Sequence, residues 1–494
     1  MISAFLRSRA GVALLVLTAV GAAFRFATID QQSYWYDESV TVELVRMPFG
    51  DMLDRIPESE STPPLYYIVA WLWAKVFGTG EIGLRSLSAL CGTAFVAVAY
   101  AIGARAAGVR VGLVAAGLAA VNPLLVWYSQ EARAYALLVL LAGLSFLFFI
   151  RLLTGDPRRR TLVLWAVFSA LALATHYFAA FLVAIEAIWL LRSAANRRPI
   201  GVAVAGLAVV ELALLPLLLH QRSQGGADFI DDIGLGYRLA RTAKQFLVGF
   251  DSPGEVITAV AAGVLVLLAL WFVWSRGDDR ERRGALVGLA VGGTLLIATA
   301  LLAVAGVDYL DTRNLLIAWP PLLLAVAAGL GARSAGRAGI AAAFALALVS
   351  ASTVLFVVTD TSLQRDDWRG AATALEDGEP AGPRAVVVTP PSAPLALRVY
   401  APELQEMSPN QRAAVRAVDV VALPHRDRTQ SSRGDPPRPE MPHAPPGFEL
   451  EETRFEDTFT LIRYTAPAPV TVTPQTLAAA RLEPGLQAAL FVEP

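Results

Sequence analysis

The stretch Pro63-Pro64-Leu65-Tyr66-Tyr67-Ile68-Val69-Ala70-Trp71-Leu72-Trp73-Ala74-Lys75-Val76-Phe77-Gly78 decides how the rest of the chain is read. Its apolar part is shorter than the roughly 20 residues a membrane-spanning helix needs. It is also crowded with aromatic side chains of the kind that collect at a membrane surface. Proline suits the first turn of a helix and glycine its end, so a helix lying on the outer surface is predicted over 64–78. Were it a span, every later loop would change sides.

Working outward, the test is where the arginines fall, because short cytoplasmic loops collect Lys and Arg. With Arg7 and Arg9 inside, residues 10–29 carry the chain out to an outer loop at 30–81, of which 30–62 is polar. Residues 82–104 return to Arg105 and Arg110, and 111–127 go out again. Residues 136–153 come back to Arg158-Arg159-Arg160, and 161–175 go out to His176-Tyr177. Residues 178–191 return to Arg192, Arg197 and Arg198, and 200–219 lead to an outer polar loop at 220–253. Residues 254–274 return to Arg276, Arg280, Arg282 and Arg283, and 285–307 lead out to Asp311-Thr312-Arg313-Asn314. Residues 315–332 return to Arg333 and Arg337, and 338–358 exit. Every densely basic short loop lands inside, which gives about 11 spans with the amino terminus cytoplasmic. Residues 10–24 after Arg7 and Arg9 look like a signal peptide, but the run continues to Ile29 and many spans follow, so it reads as an uncleaved first span.

The composition agrees. Of 494 residues, 55% are hydrophobic and 17% charged, and the mean hydropathy is +0.52, whereas a soluble domain has about 25% charged residues. The protein is therefore expected in the cell (plasma) membrane, as a mainly α polytopic helical bundle. Cys91 is the one cysteine, so neither an intrachain disulfide nor a CxxC site can form. Basic residues lie in short loops without a basic face, which argues against a nucleic-acid partner. Beyond residue 359 prolines and charges rise, with strand-like runs at 385–389, 418–423 and 458–464 and a helix-like stretch opening at Asp366-Asp367-Trp368-Arg369. Residues 1–359 thus read as a transmembrane module and 360–494 as a small extracytoplasmic α/β domain, whose Pro/Arg-rich loop 425–447 is expected to be mobile.

The chemistry-bearing residues fall on the outer side of this topology. Tyr34-Trp35-Tyr36-Asp37-Glu38-Ser39 puts two carboxylates just past an aromatic belt; Glu131, Arg133, His176, Tyr177 and Arg313 lie at outer span ends or in outer loops. Each has a plain structural reading: solvated interface charge for Asp37 and Glu38, local pairing for Glu131, Arg133 and Arg313, packing for His176. Charges at span ends are nevertheless costly unless solvated or paired, which makes them functional candidates. A carboxylate can take a proton as general base, and an arginine fork suits a phosphate. Arg25, near the outer end of the first span, reads as snorkelling. Tyr66, Tyr67, Trp71 and Trp73 read as interfacial anchors, with sugar stacking as the alternative and Tyr66 as the candidate substrate contact.

These motifs in this order are similar to the GT-C glycosyltransferases. The resemblance rests on the Asp-Glu pair after the first span, Pro63-Pro64-Leu65-Tyr66-Tyr67, Leu84-Arg85-Ser86-Leu87-Ser88-Ala89-Leu90 and Ser129-Gln130-Glu131-Ala132-Arg133-Ala134-Tyr135. It is nearest to the protein O-mannosyltransferase and aminoarabinose-transferase group, including the bacterial Rgt-type domain. It covers residues 10–200 well, extends weakly through Thr175-His176-Tyr177-Phe178 and Thr312-Arg313-Asn314-Leu315, and adds Asp367-Trp368-Arg369 in the tail. The resemblance implies transfer of a sugar from a polyprenyl-phosphate carrier to a glycan, lipid or protein acceptor at the outer face, with inversion. It implies Asp37 as general base with Glu38 beside it, Glu131 as a second acid, and Arg133 and Arg313 as contacts to the donor phosphate. Asn314 departs from the tyrosine often found after that arginine. Some relatives use a divalent metal ion, but no spacing here demands one, so cofactor and metal stay open. The alternatives are a flippase of lipid-linked sugars, which would need polar groups along a path where only Glu186 and Glu211 stand, and an inactive lipid-binding relative.

Overall fold

The computed structural model describes residues 7–225, 230, 233–377, 382–389, 393–422, 442–480 and 488–493. The chain forms two compact units. One comprises the residues up to Ile29 with Leu44–Val357; the other takes Asp30–Glu43 together with the chain from Val358 on. The acidic motif therefore belongs to the unit of the C-terminal domain.

The helices are α1 (Arg9–Phe26), α2 (Tyr36–Arg46), α3 (Phe49–Ser59), α4 (Leu65–Phe77), α5 (Glu81–Ala107), α6 (Val109–Val121), α7 (Pro123–Ser129), α8 (Tyr135–Leu153), α9 (Arg159–Leu173), α10 (Ala179–Ser193), α11 (Arg198–Ser223), α12 (Leu235–Val248), α13 (Glu255–Arg276), α14 (Asp279–Val304), α15 (Trp319–Leu330) and α16 (Gly336–Thr359). Among the described residues, 8 helices are long and apolar enough to cross a membrane, and α6 with α7 would make a ninth, bent by 58°. The expected crossings at 161–175 and 178–191 are the 15-residue helices α9 and α10. At 1.5 Å per residue each is about 22 Å long, short of the ~30 Å hydrocarbon core. The apolar windows of α5 and α8 are each 67% buried, so these helices form the centre of their unit, while that of α11 is 6% buried. Val202, Val209, Leu212 and Leu219 on α11 are left exposed, as lipid-facing side chains would be.

Helix α4 has Pro64 at its N-cap and ends where Gly78 adopts φ +80°, a conformation that glycine accepts without strain. Tyr66 and Tyr67 correct the sequence reading: both are 0% exposed and meet edge to face at 5.5 Å. They are packing residues, not surface anchors, because they lie on the face of α4 turned into the protein. Trp71 and Trp73 stay half-buried, their indole N–H groups donating to Met47 O and Gly83 O.

Arg25 is also corrected. It is 0% exposed and points into the bundle. Pro123 has no N–H to offer the carbonyl four residues earlier, and that carbonyl, Ala119 O, accepts from Arg25 Nη2 at 3.0 Å. Arg25 Nη1 donates to Ala120 O at 2.8 Å and Nε to Ser129 Oγ at 3.1 Å. The arginine thus caps the break between α6 and α7, where an unmatched carbonyl in a dry interior would be costly. A Cβ on Gly92 would lie 2.7 Å from Arg25 Nε, so glycine makes room for it.

In the second unit, α17 (Trp368–Glu376), α18 (Ala393–Tyr400) and α19 (Pro474–Ala478) accompany a 6-stranded sheet of order β2-β6-β1-β3-β5-β4. Its strands are β1 (Arg384–Thr389), β2 (Gln405–Glu406), β3 (Ala413–Ala422), β4 (Glu449–Phe455), β5 (Thr460–Val472) and β6 (Ala489–Glu493). β1 and β3 are parallel; the other neighbours are antiparallel. Trp368, Ala372, Leu375 and Leu397 pack with Val386, Val388 and Leu461 on one face. Val387, Val418, Ile462 and Leu477 build the other. The expected strands and the small α/β domain are present. Buried Asp419 is paired with Arg463 at 2.8 Å, and Arg463 and Arg384 both donate to Leu375 O near the end of α17. Residues 425–441 of the 425–447 loop lie outside the described residues.

Candidate active site

The acidic motif opens α2, where carboxylates are stabilised by the N-terminal end of the helix dipole. Asp37 is half-buried. Glu38 is 0% exposed, and its Oε2 lies 3.6 Å from Arg365 Nη1. A buried carboxylate requires such a countercharge. The Arg365 guanidinium also lies over the Trp35 ring, 5.6 Å from its centroid. The segment leading into the motif is fastened to the residues that open the C-terminal domain. Ser33 Oγ donates to Asp366 O and accepts from Trp368 N, each at 2.9 Å. Arg369 Nη2 donates to Asp30 O at 3.0 Å and Gln31 O at 3.1 Å. Arg365 N donates to Gln32 Oε1 at 2.9 Å, and Tyr34 N to Tyr400 Oη at 2.6 Å.

In the other unit, the loop between α7 and α8 brings two expected residues into place. Glu131 Oε1 accepts from Trp127 Nε1 at 2.9 Å. Arg133 forms a two-pronged pair with Glu60, at 2.7 and 2.9 Å, and its guanidinium faces the Tyr67 ring at 5.9 Å. Its donor fork is thus held by a carboxylate, in the geometry that would equally suit a phosphate. Tyr177 Oη donates to Gln221 Oε1 at 2.7 Å, and Gln221 Nε2 donates to Thr62 O at 3.2 Å. Those bonds tie the α9–α10 connection to the stretch before α4. Arg313 keeps 24% side-chain exposure, with Nε 3.7 Å from Asp311 Oδ1; Asp311 also binds Arg241 at 2.8 Å. Asn314, at the departure from the family pattern, donates from Nδ2 to Tyr309 O at 2.8 Å.

His176 lies where the two arginines converge. Burial, with Arg313 and Arg133 adding repulsion, pushes its pKa down to about 3. Nδ1 accepts from Phe178 N at 3.2 Å, which leaves the neutral ring's proton on Nε2. Because the folded state resists protonation, His176 contributes stability that is fully present above pH 6.5, the ordinary histidine value, and is lost as pH falls toward 3. His176→Asn, which retains an acceptor for Phe178 N, is expected to narrow the drop in melting temperature between pH 7.5 and pH 5. An unchanged drop would show that His176 is not the group responsible.

Among the described residues, no three His, Cys, Asp or Glu side chains converge as a metal site would require. Glu60, Gln221, Arg241 and Arg365 are the partners that the sequence reading did not assign. Glu60 and Arg133 are 73 residues apart, and no local spacing links them.

Residues 61–220 match the family described as dolichyl-phosphate-mannose-protein mannosyltransferase. The matched stretch is similar to a glycosyltransferase family domain. The chain shares its fold with ArnT from Cupriavidus metallidurans. The ArnT structure bound to undecaprenyl phosphate aligns with a TM-score of 0.56 at 13% identity, covering 92% of this chain and 98% of that one. Its apo structure aligns with a TM-score of 0.57 at 13% identity over the same shares. No curated protein sequence matches. The family match and the apolar helices make this a multi-pass membrane protein.

Proposed function

We propose that the protein transfers a sugar from a polyprenyl-phosphate donor to an extracytoplasmic glycan, lipid or protein acceptor, with inversion at the anomeric carbon. The observation that carries this reading is the family match over residues 61–220. ArnT, which shares the fold, is seen with undecaprenyl phosphate, and this supports a polyprenyl carrier. In the proposed reaction Asp37 takes the proton of the acceptor hydroxyl, whose oxygen attacks the anomeric carbon. The bond from that carbon to the phosphate oxygen breaks, and the electron pair leaves with the polyprenyl phosphate. Arg313 and Arg133 are assigned to that phosphate, where fixed positive charge stabilises the departing anion. Neutral His176 can donate from Nε2 without adding charge. Glu131, held by Trp127, is assigned as the second acid of the pocket.

The flippase reading finds less support. Glu186 Oε2 accepts from Ser145 Oγ at 2.6 Å and Trp165 Nε1 at 2.8 Å, a closed knot joining α8, α9 and α10. Glu211 lies exposed on α11. Neither forms part of a polar track of the kind transporters use. Turnover of undecaprenyl phosphate carrying a radiolabelled hexose or pentose by the purified protein tests the reading. Label transferred to an acceptor supports it; carrier moved across vesicles without cleavage overturns it.

The orientation has its own test. Ser223 and Ser275 lie at the ends of α11 and α13, both exposed, while native Cys91 is buried. Ser223→Cys should react with an impermeant thiol reagent in intact cells, and Ser275→Cys should not. The reverse pattern would invert the proposed topology.

A further inference from the structure

We propose that Arg365, in the segment leading into the C-terminal domain, is a positioning residue for the acidic motif, and that this domain serves the reaction by holding Asp37 and Glu38 in place. The proposal rests on the reading of Asp37 as general base.

Glu38 is enclosed and follows Asp37 directly on the first turn of α2, so whatever fixes Glu38 also fixes the backbone that carries Asp37. Arg365 supplies a charge 3.6 Å from its carboxylate, on a side chain that is itself 9% exposed. Three features hold this arginine in turn. Its guanidinium lies over Trp35, its backbone N–H is bound to Gln32 Oε1, and the next residue, Asp366, takes the Ser33 hydroxyl on its carbonyl. The Trp35 and Arg365 side chains therefore clamp the entry to α2 from both sequence and space. Taking away a charge partner weakens the compensation of a buried carboxylate. The turn would then move to rehydrate Glu38, and Asp37 would move with it.

The test uses the full-length protein with Arg365→Ala and Arg365→Lys. A nitroxide label at Tyr36→Cys, in a Cys91→Ala background, reports the motif directly, since Tyr36 is 44% exposed. Arg365→Ala should free the label, and Arg365→Lys, which restores the charge, should return it toward the parent spectrum. In turnover of the labelled undecaprenyl-phosphate sugar, Arg365→Ala should lower kcat by about 10- to 100-fold, the scale of small misplacements of a reacting group. KM for the donor should stay within about twofold, since the donor phosphate is assigned elsewhere. The Glu38→Gln/Arg365→Ala double variant should lose less than the product of the single losses, as coupled residues do. Unchanged label mobility in Arg365→Ala overturns the proposal. So does a loss confined to folded yield, with kcat of the folded fraction intact. If Asp37→Asn turns over normally, the base reading fails on its own. The label then still decides whether Arg365 holds the motif.

Discussion

Asp37→Asn is expected to slow sugar transfer by roughly 10²–10⁴-fold, the usual worth of general-base assistance. The amide keeps the shape of the carboxylate and its place on the first turn of α2, but it cannot take the acceptor's proton. Undecaprenyl phosphate should bind the variant as it binds the parent, because the phosphate contacts are assigned to Arg133 and Arg313. Glu38→Gln is the comparison within the pair, and a smaller loss is expected there. Glu38 is enclosed beside Arg365, whereas Asp37 is only half-buried; the more accessible carboxylate is the better placed to meet a hydroxyl. Normal turnover by Asp37→Asn together with a dead Glu38→Gln would transfer the base role to Glu38. Full activity in both would remove the carboxylate mechanism.

Arg133→Ala is expected to cost about 3–5 kcal/mol of stability, the penalty of stranding one member of a buried ion pair. Glu60 is that member. Its side chain is 2% exposed, and that of Arg133 9%. A loss of this size is a large part of a typical folding free energy, so thermal unfolding should register it before any assay of function. Glu60→Gln/Arg133→Met removes both charges and keeps most of the volume, and should recover most of the loss. This double variant separates structure from function. If Arg133 meets the donor phosphate, the refolded double variant will still bind undecaprenyl phosphate more weakly than the parent. If it binds as well as the parent, Arg133 is a structural partner of Glu60 and the phosphate role falls to Arg313. A single variant as stable as the parent would contradict the buried pair itself.

Helix existence, including the short helix at 65–77, and the small α/β domain were all legible in the sequence. Each depends on local quantities: the length of an apolar run, the placement of proline and glycine, and β-branched runs such as Arg384–Thr389. The resemblance over residues 61–220 was legible for the same reason, since its motifs are contiguous. Partnership was not legible. Arg25 read as a snorkelling side chain because one sequence cannot reveal that Pro123, nearly a hundred residues on, leaves Ala119 O without a donor. Tyr66 read as an anchor because a short aromatic helix has the same composition whichever face is buried. Glu60 with Arg133, Arg313 and Arg133 around His176, and Arg365 with Glu38 are pairings between distant segments. The residue types follow from the chain. Which charge neutralises which is decided by packing, since a buried charge is stable only beside the partner that the fold brings to it.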